Sequence, residues 1–226
     1  MDKEPKPSTF DNFWEERLKD YPKTDEFKSI YKEMLDELPL PERKLKTSVV
    51  ISMIGIPGTG KSTFSKLLQE VIPAVHLRSD VIGLFKLPKG PDFDYYKAYV
   101  IKHALARHYL SLGSSVIMDD NNRTQYNRER VYKMAKSYGA KNILLFLKLP
   151  LEEALRRAQK RDIEEGRIND FHQTKEALLL FQKEIENPTP EEITKWNLSY
   201  IDIDANKSVE ELESDLRNNP TIDLLI

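Results

Sequence analysis

No cysteine occurs in these 226 residues, which excludes disulfides, thiolate metal sites and a cysteine nucleophile. Long apolar runs are missing too: none approaches the roughly 18 residues that a membrane-spanning helix needs. Neither sign of charge is in excess. The 35 Lys and Arg face 37 Asp and Glu, giving a formal net charge of −2 and a pI of about 6.2. Such a balance gives no global attraction to nucleic acid or to an anionic membrane, although it leaves room for a local basic groove. The opening Met1-Asp-Lys-Glu-Pro-Lys-Pro7 is too polar for a signal peptide. Together these absences predict a cytoplasmic protein with no membrane partner. Repeats and low-complexity tracts are also absent. What is present, 39% hydrophobic and 32% charged residues, suits a globular chain able to bury one sizeable core.

Two regions differ in pattern. Residues 1–46 read as an N-terminal helical extension, with the polar, proline-containing residues 1–8 expected to be disordered. Phe10, Phe13, Trp14 and Leu18 recur at helical spacing, as do Phe27, Ile30, Tyr31, Met34 and Leu35, and Pro22 is expected to divide two helices. Residues 47–226 alternate strand and helix. Strands are predicted at 47–54, 74–78, 114–118, 142–148 and 198–203, and helices at 61–71, 92–112, 126–138, 151–165, 173–186 and 209–218. That alternation predicts an α/β three-layer sandwich around a five-stranded parallel sheet, with ligands at the carboxyl ends of the strands.

The first predicted strand runs straight into Gly55-Ile-Pro-Gly-Thr-Gly-Lys-Ser-Thr63, and a helix follows. This is a P-loop in its proper context, so the fold class is that of a P-loop NTPase. Gly55, Pro57, Gly58, Thr59, Gly60, Lys61, Ser62 and Thr63 are expected to cradle the phosphates of ATP. Glycines let successive N–H groups point inward, Lys61 reaches the β- and γ-phosphates, and the Ser62 hydroxyl ligates Mg²⁺. Asp119 directly follows the apolar strand Val116-Ile-Met118 and is the candidate carboxylate on the Mg²⁺ side, with Asp120 the weaker one. Asp80 closes the second strand. If that strand lies beside the P-loop strand, Asp80 faces the γ-phosphate and can accept the proton of an attacking hydroxyl; as the plainer alternative, Ser79 or Asp80 caps a helix. Arg157 and Arg161 share one helix face and are expected to form a lid over the phosphates, with the polar stretch from Asp162 to Phe171 as its mobile part. His76, His103, His108 and His172 show no metal-ligand spacing and read as structural. Tyr95, Tyr96 and Tyr99 read as helix core, with the acceptor pocket as their alternative location.

These residues resemble the P-loop kinases of the polynucleotide-kinase-like group, which lies near the zeta-toxin kinases. The resemblance is carried by the P-loop, by His76-Leu-Arg-Ser-Asp80, by Val116-Ile-Met-Asp-Asp-Asn-Asn122, and by Arg157 and Arg161 followed by the Pro188-Thr189 segment. It spans about residues 47–204. It implies ATP- and Mg²⁺-dependent phosphoryl transfer to a hydroxyl, with Lys61, Asp80, Arg157 and Arg161 as catalytic residues and Arg157 also on the nucleotide. Arg78, Asp80, Asn122 and Arg123 are implied on the acceptor side. A polynucleotide 5′-hydroxyl leads as acceptor, with a sugar, nucleoside or antibiotic as the alternative. A switch or binding module driven by nucleotide state is the third reading. One departure stands out: where many relatives carry an arginine three residues after the strand-end Asp, this chain has Gly83, with only Lys86 near.

Overall fold

A computed structural model describes residues 14–89, 93–165 and 174–220. The expectations for residues 1–8, for Phe10 and Phe13, for His172 and for most of the polar stretch after Asp162 fall outside them.

The elements in chain order are α1 (Trp14–Arg17), α2 (Asp25–Glu37), β1 (Val49–Ile54), α3 (Lys61–Val71), β2 (Ala74–Arg78), α4 (Ser79–Val81), α5 (Tyr96–Ser111), β3 (Ser115–Asp119), α6 (Gln125–Ser137), β4 (Lys141–Lys148), α7 (Leu151–Glu165), α8 (Lys175–Lys183), α9 (Pro190–Trp196), β5 (Leu198–Asp204) and α10 (Val209–Arg217). The five strands are parallel in the order β2-β3-β1-β4-β5. β1 is central and every residue of it is buried. Its β-branched and apolar residues suit a strand covered on both faces. Alternation then splits the core. Val50, Val75, Leu77, Val116 and Met118 face α5 and α2. Val49, Ile51, Met53, Ile117 and Ile143 face α3 and α10.

The predicted α/β sandwich is therefore the observed one, and the differences are local. Strand order corrects one premise: β3, not β2, pairs with β1 on that side, so Asp80 stands two strands away from the P-loop strand. In the extension, Tyr21–Lys23 forms a 3-10 turn around Pro22, and Thr24 then caps α2 by accepting from Phe27 N. Phe27, Ile30 and Met34 are buried in the same core cluster as Ile101, Leu105 and Tyr109 of α5. The extension is thus continuous with the body of the domain in packing. The predicted helix at 92–112 begins only at Tyr96, where Asp94 accepts from Tyr96 N. Two short pieces escaped the sequence pattern. One is α9, opened by Pro190 and capped by Thr189. The other is a π-helical turn, Ile82–Lys86, continuing α4. Both are too short to carry a helical period.

Candidate functional site

The site lies at the carboxyl ends of β1, β2 and β3. Gly58 and Gly60 turn the chain out of β1 with φ of +87° and +86°, a region that residues with a Cβ rarely enter. At Gly58 a Cβ would also lie 2.0 Å from Ala154 O, so α7 packs directly on the loop. Gly60 is the N-cap of α3 and offers no side-chain cap, which leaves the first N–H groups of an eleven-residue helix for an anion. Lys61 folds back over the loop and donates to Gly55 O and Ile56 O at 2.9 and 3.0 Å. Burial lowers its pKa to about 8; the charges acting on it are those of Asp119, Arg161, Arg123 and Asp80. Those four side chains come from three segments: the end of β3 with the loop after it, the start of α4, and α7.

Asp119 ends β3. His76 Nε2 lies 3.0 Å from its Oδ2, and Ser62 hydrogen-bonds it as well. Burial by itself would raise the carboxyl, but His76, Lys61 and Ser62 outweigh burial and hold it below the usual carboxylate range. Asp80 follows β2 directly. Arg78 grips it through two contacts, Nε to Oδ1 at 3.1 Å and Nη2 to Oδ2 at 2.8 Å. Val81 N donates to Oδ1 as well. Asp80 remains about one third exposed, so its oxygens keep an open side. Next to it, Ser79 Oγ donates to Asp120 Oδ1 at 2.6 Å, and Asp120 forms an ion pair with Lys102 of α5. Lys102 is fully buried, and burial pulls it down to about 7.

The loop after β3 is fixed from both sides. Asn122, with φ +38°, donates from Nδ2 to Met53 O at 3.1 Å. Arg123 reaches Glu184 and lies 4.2 Å over the Phe181 ring of α8. Arg128 makes a buried two-pronged pair with Glu192, both contacts 2.7 Å, while its Nη1 donates to Asn122 O and Arg123 O. Glu192 of α9 belongs to the segment after Pro188-Thr189. Its role is now visible: it locks the loop that presents Asn122 and Arg123.

The chain matches the AAA_33 family model, described as an AAA domain, over residues 50–188, more than half its length. It belongs to that P-loop kinase family. A 171-residue stretch of this AAA_33 protein is 26% identical to L-seryl-tRNA(Sec) kinase of Methanococcus maripaludis. That alignment covers 72% of this chain, and the chain spans only 61% of the length of that relative. Two solved structures share the fold. The PezAT toxin–antitoxin system of Streptococcus pneumoniae is 18% identical with a TM-score of 0.60, over 82% of this chain and 79% of that one. Kti12 of Chaetomium thermophilum in complex with ADP-AlF3 is 18% identical with a TM-score of 0.55, over 75% and 97%.

Within the AAA_33 domain, the residues singled out by sequence do not all converge. Gly55 to Thr63, Asp119, Asp80, Asn122 and Arg123 surround Lys61 or the strand ends beside it. Arg157 and Arg161 part company. Arg157 pairs with Glu153 and donates from Nη1 to Ala205 O at 2.9 Å, toward a cavity of about 430 Å³ bounded by Lys148, Pro150, Asp202 and Asn206. Arg161, one turn further along, acts on Lys61, and its buried Nε has no hydrogen-bond partner among the described residues. Two contacts were not anticipated from sequence. His76, read as structural, touches Asp119. Lys102 drew no notice, although a lysine on an apolar helix face opposite two strand-end acids is a signal a reader could use.

Proposed function

We propose that this protein is an ATP- and Mg²⁺-dependent kinase that transfers the γ-phosphoryl group to an alcohol, with a polynucleotide 5′-hydroxyl as the leading acceptor. The observation that carries the reading is the set of charges around Lys61: two carboxylates and two arginines from three segments. A nucleotide switch needs the P-loop and its Mg²⁺-side acid; it does not need Asp80, held by Arg78 on the far side of β3 with an open face. Ser62 and Asp119 are two oxygen donors that already hydrogen-bond each other at the mouth of α3, and this donor set fits a cation that takes few protein ligands. Ser62 and Asp119 would hold Mg²⁺ there, and the ion would supply neutralisation of phosphate charge.

The chain's own groups divide the work. The α3 N–H groups and Lys61 bind phosphate oxygens. Arg157 and the cavity beside Ala205 take the nucleoside end of the donor. Asp80 accepts the proton as the acceptor oxygen bonds to the γ-phosphorus and the bond to the β-phosphate oxygen breaks, releasing ADP. Arg161 and Arg123 neutralise charge on the transferring group. The name of the seryl-tRNA kinase relative adds support for a hydroxyl on an RNA-linked acceptor. A small-molecule alcohol is the second reading, favoured by the near-neutral net charge.

Labelled γ-phosphate offered with 5′-hydroxyl RNA, 5′-hydroxyl DNA, nucleosides, sugars and seryl-tRNA tests this. Transfer to a hydroxyl is expected, and Asp80→Asn should lose about 100-fold or more in rate while binding ATP normally. Unchanged transfer by Asp80→Asn would remove it as the base. Slow hydrolysis with no labelled acceptor would favour the switch.

A further inference from the structure

The structure gives Gly83 a neighbour that bears on the acceptor. A Cβ at Gly83 would lie 2.3 Å from Tyr95 Cε2 and 2.7 Å from its Cδ2. The tyrosine ring therefore rests directly on the glycine backbone, in the place where a side chain would stand. Asp80 and Gly83 are three residues apart on one helical run, α4 and its π-helical continuation, and so lie within about one turn of each other. A ring on Gly83 is thus one turn from the carboxylate that takes the proton.

This ring has aromatic neighbours. Tyr95 packs edge-on to Tyr99 at 5.9 Å, and Tyr96 lies against Tyr99 at the same distance. Lys102 Nζ sits 5.1 Å over the Tyr99 ring and pairs with Asp120, so the aromatic step is tied to the end of β3. The N-terminal extension braces the same step from outside. Arg17 pairs with Asp94, Lys97 Nζ reaches Glu26 Oε1 at 2.9 Å, and Lys86 pairs with Glu33 and Glu37. Lys89 donates to Gly83 O at 2.7 Å, and its Nζ lies 4.3 Å over the Phe93 ring. Tyr95 itself is only partly buried.

We infer that Tyr95, seated on Gly83, is the stacking surface for the base of a nucleoside acceptor whose 5′-hydroxyl reaches Asp80. This rests on the kinase reading and narrows it. An aromatic face about one turn from the general base suits a substrate with a flat ring one sugar away from its reacting hydroxyl. An arginine at position 83 would instead favour a phosphate. The nucleoside can be free or can be the 5′ end of a polynucleotide.

Steady-state transfer from ATP to adenosine, to a 5′-hydroxyl oligonucleotide, to ribose and to glycerol tests the assignment. Tyr95→Leu keeps an apolar cover on Gly83 but removes the ring; Tyr95→Phe keeps the ring. The expected result is a KM for base-bearing acceptors raised roughly ten-fold or more in Tyr95→Leu, with kcat far less affected, and a near-normal KM in Tyr95→Phe. Gly83→Ala should resemble Tyr95→Leu, because its Cβ displaces the ring. Equal ATP affinity in all four proteins shows that the fold is intact. Preference for adenosine over the oligonucleotide, or the reverse, names the source of the nucleoside. An unchanged KM in Tyr95→Leu, or ribose and glycerol serving as well as adenosine, would overturn the stacking role and leave the kinase reading standing. No transfer by the wild type to any hydroxyl would overturn both.

Discussion

Asp119 shows how much a single carboxylate can concentrate. It meets His76 and Ser62 directly and the charge of Lys61 through space. Its folded pKa is depressed, so its contribution to stability is present above the unfolded value of about 4 and is lost as pH falls through the folded one. Unfolding free energy measured between about pH 5 and pH 2.5 should therefore fall less in Asp119→Asn than in the wild type. Parallel curves would mean that the carboxyl titrates alike in both states. The sequence showed this residue as a strand-end acid. It did not show His76, because a histidine inside a strand carries no mark of the neighbouring strand's register. Here β2 and β3 align so that Arg78 sits opposite Asp119 and His76 one pleat earlier on the same face.

Between elements, the buried Arg128–Glu192 pair joins α6 to α9, with Tyr132 OH donating to Glu192 Oε1 at 3.0 Å. Breaking one side of such a pair leaves a buried charge alone. Arg128→Met should cost about 3–5 kcal/mol in urea unfolding, and adding Glu192→Leu should recover much of it. A double variant no more stable than the single one would place the loss in packing instead. The link also holds Asn122 O and Arg123 O, and Glu186 N donates to Arg123 O at 2.9 Å, so the return from the α7–α8 region and the loop after β3 are one assembly. α9 was not legible beforehand, since seven residues opened by a proline give no period. The Pro-Thr segment was visible only as a resemblance, and its physical content is a helix cap followed by a buried anchor.

Across the molecule, the two core clusters on opposite faces of the sheet meet at β1, whose carboxyl end is the P-loop. Binding there should stabilise the whole fold. Mg²⁺ with ADP at about 100 times its Kd adds about 2.7 kcal/mol, a Tm rise of roughly 5–11 °C for a chain of this size. Lys61→Ala should abolish most of that shift. A rise of the same size in the variant would place the nucleotide elsewhere.

The sequence by itself determined the fold class, the P-loop and the strand-end acids, because these depend on local patterns: β-branched runs, glycine spacing, and an acid directly after a strand. Strand order, the separation of Arg157 from Arg161, and the contacts of His76, Lys102 and Tyr95 were decided by tertiary structure. Each depends on which distant segments are brought together. Arg157 and Arg161 share a helix face, yet Ala205 after β5 draws one away while the other stays within reach of Lys61. At position 83 the sequence showed only a missing arginine, and the fold shows a tyrosine ring in its place.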